Sequence, residues 1–110
     1  MDNCIFCKIA AGEIPVEKVY EDEHVIAFPD IHPKKPGHTL VIPKEHYHWF
    51  EEMPDDSGDR LFRAARSIAR DLKKKHQAHY IQLGVVGKDV PHVHVHLVPH
   101  QGDTELASAL

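Results

Sequence analysis

The sequence predicts an α+β fold built on a mostly antiparallel sheet. Short strand-like runs occupy the first and last parts of the chain, and one long stretch of helical periodicity separates them. Strands, helix, strands, with no alternation of strand and helix, is the order of an antiparallel sheet rather than of repeated parallel crossovers. At 110 residues the chain suits a single domain spanning residues 1–110.

The first element is a short helical turn over residues 5–11, ended by Gly12 and Pro15. Residues 16–20 and 25–28 read as short strands on either side of the acidic turn Glu21-Asp22-Glu23. The segment Asp30-Ile31-His32-Pro33-Lys34-Lys35-Pro36-Gly37 is a loop, because two prolines and a glycine forbid regular structure there. A third strand covers residues 38–42 and is closed by Pro43. Leu61, Ala65, Ile68 and Leu72 recur at helical spacing, widened by Phe62 and Ala69, which predicts one long helix over residues 59–75. Lys73, Lys74 and Lys75 fall in its last turn, where they suit the negative end of the helix dipole and form a solvated end. The final strands are residues 80–86 and 92–98.

Composition narrows the function. Hydrophobic residues make up 42% and charged residues 27% of the chain, which fits a folded domain. A formal net charge of −4 argues against a general nucleic-acid or membrane-surface binder, though local groups can still hold a small anion. No apolar run reaches membrane-spanning length and the first residues lack a signal-peptide plan, so a cytoplasmic location is expected. Cys4 and Cys7 are too few for a disulfide scaffold. Their spacing suits metal or redox chemistry, or two free buried thiols. A redox pair of this type normally follows a strand in a βαβ unit, whereas this one stands at the start of the chain.

The chain has 11 histidines, and the densest run is Pro91-His92-Val93-His94-Val95-His96-Leu97-Val98-Pro99. Side chains alternate along a strand, so His92, His94 and His96 share one face while Val93, Val95 and Leu97 face the core. A bare solvated face or a chance metal patch is the plain alternative. Imidazole can serve as nucleophile, proton donor or metal ligand near neutral pH. His24, His32, His48, His76, His79 and His100 carry no argued role and are expected on the surface.

The triple histidine followed by two apolar residues resembles the signature of the histidine-triad nucleotide hydrolases and transferases, and the resemblance covers nearly the whole chain. Cys4-Ile5-Phe6-Cys7-Lys8-Ile9 and Glu13-Ile14-Pro15 match the family's opening. Ala27-Phe28-Pro29-Asp30-Ile31 and the segment from Pro36-Gly37-His38 through Lys44-Glu45-His46 match its middle. The resemblance implies the histidine-triad (HIT-like) fold, with about five antiparallel strands, one long helix and one short one. It implies that His94 attacks the α-phosphorus and forms a nucleotidyl-histidine, that His96 touches the phosphate or the leaving group, and that His38 stands beside them. A neutral His94 would need a backbone carbonyl on its other ring nitrogen.

By the same resemblance, Asp30 contacts the ribose hydroxyls, and Phe6, Ile9, Ile14, Phe28 and Ile31 wall the purine pocket. Read from the residues alone, those apolar side chains are ordinary core and Asp30 is a turn-former. Cys4 and Cys7 have zinc-knuckle spacing, and His46 and His92 are the candidates to complete a tetrahedron. Relatives with the Cys-x-x-Cys pair, including the galactose-1-phosphate uridylyltransferase branch, use matching histidines. A zinc ion with four protein ligands would be structural. The family also implies a symmetric homodimer.

Four features depart from the family pattern. Gly87-Lys88-Asp89-Val90-Pro91 replaces the usual Gly-Gln-Ser/Thr loop, and no asparagine lies between Tyr80 and Pro91. Lys88 would supply positive charge near the nucleotide, and Asp89 would either brace the loop or act as a general acid. His100 stands where arginine is usual, and the tail over residues 101–110 is short in a region that shapes substrate choice in relatives. The expected substrate is a phosphoramidate or similar conjugate of AMP or GMP. The alternatives are a dinucleoside polyphosphate, or a zinc-stabilised nucleotide-binding module with negligible turnover.

Overall fold

The computed structural model describes residues 3–101. Its strands are β1 (Tyr20–Glu21), β2 (Val25–Pro29), β3 (Thr39–Pro43), β4 (Tyr80–Val85) and β5 (Val95–His100), with helices α1 (Ile5–Ala10) and α2 (Asp55–Lys75). The strands form one sheet in the order β1-β2-β3-β5-β4, each neighbour antiparallel. This is the α+β class and the five-stranded antiparallel sheet that the sequence predicts.

Both faces of the sheet are covered, because successive side chains point to opposite sides. Val25, Ala27, Val41, Val95 and Leu97 pack with Leu61, Ala64, Ala65, Ile68 and Leu72 of α2. Ile26, Phe28, Leu40 and Ile42 face the other way and pack with Phe6 and Ile9 of α1. Val93 joins the α2 side. The three alternating histidines therefore lie on the side that α1 covers.

Several boundaries differ from those predicted. The first strand keeps only Tyr20 of the expected run and adds Glu21 from the expected turn, since Glu17, Lys18 and Val19 are exposed and bury nothing. The last strand starts at Val95, three residues later than predicted, and runs to His100. Pro99 lies inside it, opposite Ile81. Pairing with β3 stops at Leu97, so a residue lacking an N–H loses no ladder bond on that side. Pro29 and Pro43 likewise end β2 and β3 from within. Helix α2 begins at Asp55 rather than at residue 59, and Gly58 lies in its first turn, where its N–H bonds the Pro54 carbonyl at 2.9 Å. Asp55 and Asp56 at the start suit the positive end of the dipole. A 3₁₀ turn over Phe50–Glu52, absent from the sequence-based expectation, precedes it.

His100 is a further correction. It is buried rather than on the surface, with Nε2 at 2.8 Å from the Gln82 side-chain oxygen and its ring stacked on Tyr80. His48 and His76 are half-buried, while His24, His32 and His79 are exposed as expected. The tail over residues 102–110, expected to bear on substrate choice, lies outside the described residues.

Candidate functional site

The site is built where β2, β3 and the segment leading into β5 meet α1. Two loops set it. Lys35-Pro36-Gly37-His38 forms a tight turn closed by the His38 N–H on the Lys35 carbonyl at 3.1 Å. Gly37 has φ +89°, so proline followed by glycine is the pair this turn requires. The turn delivers His38 to the start of β3. The segment Pro91–His94 leads into β5 after a bend at Pro91 and His92, and the Val93 N–H bonds the Tyr47 carbonyl at 2.7 Å.

His94 is 5% exposed. Its Nδ1–H donates to the carbonyl of His92 at 2.7 Å, which leaves Nε2 with a lone pair. Phe6 stands edge-on to it at 5.1 Å between ring centroids, and His96 does so at 5.0 Å. His96 Nδ1 lies 2.9 Å from His38 Nε2. Burial first, then the neighbouring His94 and His38, pushes His96 down to about 4. Burial also lowers His38, against an opposing pull from Asp30. Both rings are therefore neutral near neutral pH.

Asp30 carries two contacts. Its Oδ1 accepts the His32 N–H at 2.9 Å, the turn-forming role read from the residue type. Its Oδ2 lies 3.4 Å from His38 Nε2. Phe6 and Phe28 meet edge to face at 5.9 Å, with Ile9 buried behind them and Ile14 packed on the same cluster. Ile31 is 84% exposed at the open rim, and Lys88 and Asp89 are exposed in the bend before Pro91. The structure thus brings His38, His94, His96, Asp30, Phe6 and Phe28 together and leaves Ile31, Lys88 and Asp89 at the surface.

Beside this cluster, Cys4, Cys7, His46 and His92 each point one ligand atom at a common centre, all within 4.8 Å of one another. Cys4 Sγ lies 3.2 Å from His92 Nδ1, and Cys7 Sγ lies 3.1 Å from His46 Nδ1. A tetrahedral zinc with Zn–S of about 2.3 Å and Zn–N of about 2.0 Å has S···N edges of about 3.5 Å, so the set fits a metal of that size. His92 is fully buried and its Nε2–H donates to the Pro43 carbonyl at 2.9 Å, which frees Nδ1 for a metal. The Cys7 N–H bonds Cys4 Sγ at 3.3 Å at the start of α1. With no metal, burial and the adjacent Cys4 thiol push Cys7 up to about 11.

A family model described as the HIT domain matches residues 11–103. The chain belongs to the HIT domain family. It is 48% identical over 108 residues to an uncharacterized HIT-like protein of Methanocaldococcus jannaschii, covering 94% of this chain and 84% of that one. A zinc-bound histidine triad family protein of Mycobacterium smegmatis superposes with a TM-score of 0.87 at 31% identity, over 96% of this chain and 80% of that one. A HIT family hydrolase of Legionella pneumophila gives 0.76 at 36% identity, over 91% and 95%. The five-stranded antiparallel sheet with one long and one short helix matches the family's structures, and the Cys/His cluster could hold a metal.

The sequence implied a backbone carbonyl on His94, which is that of His92, but not which residue supplies it, and it carried no sign of the groups that orient His92 and His38. The carbonyls of Pro43 and His92 and the amide of Lys34 leave no residue-type signal, because every residue except proline carries both groups.

Proposed function

We propose that the protein hydrolyses a purine nucleotide conjugate through a covalent nucleotidyl-histidine on His94. One observation carries this reading. His94 is held as the tautomer whose free lone pair, on Nε2, stands beside His96 and Phe6, because its other nitrogen is committed to a backbone carbonyl.

In the first step the Nε2 lone pair forms a bond to the α-phosphorus. The bond from phosphorus to the leaving group breaks, and that group departs with the electron pair and takes up a proton. Water then attacks phosphorus, the N–P bond breaks, and its electron pair returns to Nε2. The products are the mononucleotide and the free leaving group. Two easier displacements replace one difficult one. His96 touches the phosphate oxygens or the leaving group, with His38 behind it. Asp30 meets the ribose hydroxyls through Oδ2, since Oδ1 is used in its turn. Phe6, Ile9, Ile14, Phe28 and Ile31 hold the purine, and Lys88 and Asp89 border the nucleotide. Phosphoramidates of AMP or GMP fit this scheme, as do dinucleoside polyphosphates, which share the intermediate and differ in the leaving group.

Cys4, Cys7, His46 and His92 would hold a structural zinc, which when bound supplies folding energy by tying the start of the chain to β3 and β5. The relative of M. smegmatis described as zinc-bound supports the choice of metal. The protein would act as a cytoplasmic homodimer with no nucleic-acid or membrane partner. Among the described residues no helix is long and apolar enough to cross a membrane, and β4 ends the sheet with Leu83 exposed.

The test compares hydrolysis and binding in one variant. His94→Ala should lose hydrolysis of adenosine phosphoramidate while binding AMP with little change, because the pocket is built by other residues. Activity within tenfold of the unaltered protein would refute the nucleophile.

A further inference from the structure

Asp30, His38 and His96 place three ligand-type atoms within 4.8 Å of one another, on the opposite side of His94 from the cysteines. Two imidazoles and a carboxylate make a common open metal site. The hydrogen bonds around them say otherwise. The Lys34 backbone N–H donates to His38 Nδ1 at 3.1 Å. That nitrogen must therefore carry a lone pair, and the proton of a neutral His38 sits on Nε2. His38 Nε2 lies 2.9 Å from His96 Nδ1 and 3.4 Å from Asp30 Oδ2. The shorter contact is the hydrogen bond, so His96 Nδ1 is the acceptor and the His96 proton sits on Nε2.

We propose that the Lys34 amide, acting through His38, fixes His96 as a neutral N–H donor at Nε2. Lys34 is a positioning residue, since it touches neither phosphate nor leaving group. The order of the chain is Lys34 N–H to His38 Nδ1, then His38 Nε2–H to His96 Nδ1. No ring in it can be reversed without setting two N–H groups against each other. His94 is fixed in the opposite sense, with its lone pair on Nε2. The two rings, 5.0 Å apart, thus offer a lone pair and a donor to one substrate. On the proposed nucleotidyl-transfer reading, on which this consequence rests, His94 supplies the attacking pair while His96 donates a hydrogen bond to oxygen and keeps its proton. A neutral imidazole that gave its proton away would become an imidazolate, so the donor role is electrostatic. Burial first keeps His38 and His96 neutral, and adding a proton to either ring would also set N–H against N–H. The same lock removes the lone pair that a metal would need at His38 Nε2.

Nitrogen-15 shifts of the ring nitrogens, measured on the zinc-loaded protein without nucleotide, test the lock. His38 and His96 should each show a protonated Nε2 and a bare Nδ1. Lys34→Pro removes the donor and should give mixed tautomers at His38 and His96, whereas Lys34→Ala keeps the amide and should keep both. With adenosine phosphoramidate, Lys34→Pro should lower kcat by roughly tenfold with KM little changed, as for loss of a contact made in the transition state. If Lys34→Pro does not fold, His38→Gln and His38→Leu replace it. The glutamine amide can still donate to His96 and should retain its tautomer, and leucine should lose it. A proton on His96 Nδ1 in the unaltered protein, an Nε2–H unmoved by Lys34→Pro or His38→Leu, or a second metal bound at Asp30, His38 and His96 would overturn the proposal. Shifts as stated in a protein that hydrolyses nothing would leave the lock standing and remove the hydrolase reading.

Discussion

A histidine ring presents a donor and a lone pair, and at His38, His92 and His94 a backbone group decides which nitrogen has which. Pro43 frees Nδ1 of His92 toward the cysteines, and His92 frees Nε2 of His94 toward the pocket. Keeping such rings neutral has a cost that depends on pH. His96 takes up protons near its ordinary value of 6.5 when unfolded but only near about 4 when folded. Between those limits the unfolded chain binds more protons, so stability falls as pH falls through that window and is fully retained above it. Chemical denaturation across the window should show the loss, and His96→Gln should show a shallower one. Equal slopes in the two proteins would contradict the burial argument. Asp89 is exposed beside Lys88, so nothing buries its carboxylate. A bracing role for Asp89 is expected, and Asp89→Asn should change the hydrolysis rate less than tenfold with its pH dependence intact. A loss of about a hundredfold with a shifted acidic limb would instead make Asp89 a general acid.

At the scale of elements, the site depends on α1 being held to the sheet. Six residues make a weak helix by themselves. Burial of Phe6 and Ile9 supplies part of the hold, and Cys4 and Cys7 meeting His46 and His92 supply the rest. Metal analysis should therefore find about one zinc per chain, and Cys4→Ser should lower the melting temperature. Metal-free protein of unchanged stability would remove the zinc. Much of this was legible in the sequence. Leu61, Ala65, Ile68 and Leu72 announced α2 by spacing, and alternation put the triad on the face away from Val95 and Leu97. Cys4 and Cys7 were legible as a metal-type pair from their spacing, and His46 and His92 gained their support from the family resemblance. Strand ends were not legible. Pro29, Pro43 and Pro99 looked like terminators, and whether a proline ends a strand depends on which neighbour its missing N–H would have faced. His100 was misplaced because its burial against Tyr80 and Gln82 arises from the β4–β5 register, which no local pattern encodes.

At the scale of the whole molecule, β4 forms an edge of the sheet among the described residues. Leu83 and Val86 are exposed there, with Trp49 and Phe50 also exposed. A homodimer through this edge and α2 would cover them, in keeping with the limited core of a chain this size. Light scattering should give twice the chain mass at micromolar concentration, and Leu83→Lys should shift it toward the monomer. A monomeric unaltered protein would refute the dimer.

The proposed chemistry turns on a bond between His94 and phosphorus. Mixing the protein with adenosine phosphoramidate, quenching in base to preserve the acid-labile N–P bond, and mapping peptides by mass spectrometry would look for that bond directly. An adenylyl group on His94, absent from His94→Ala, is the predicted result. Turnover with no adduct at His94, or an adduct on another residue, would contradict it.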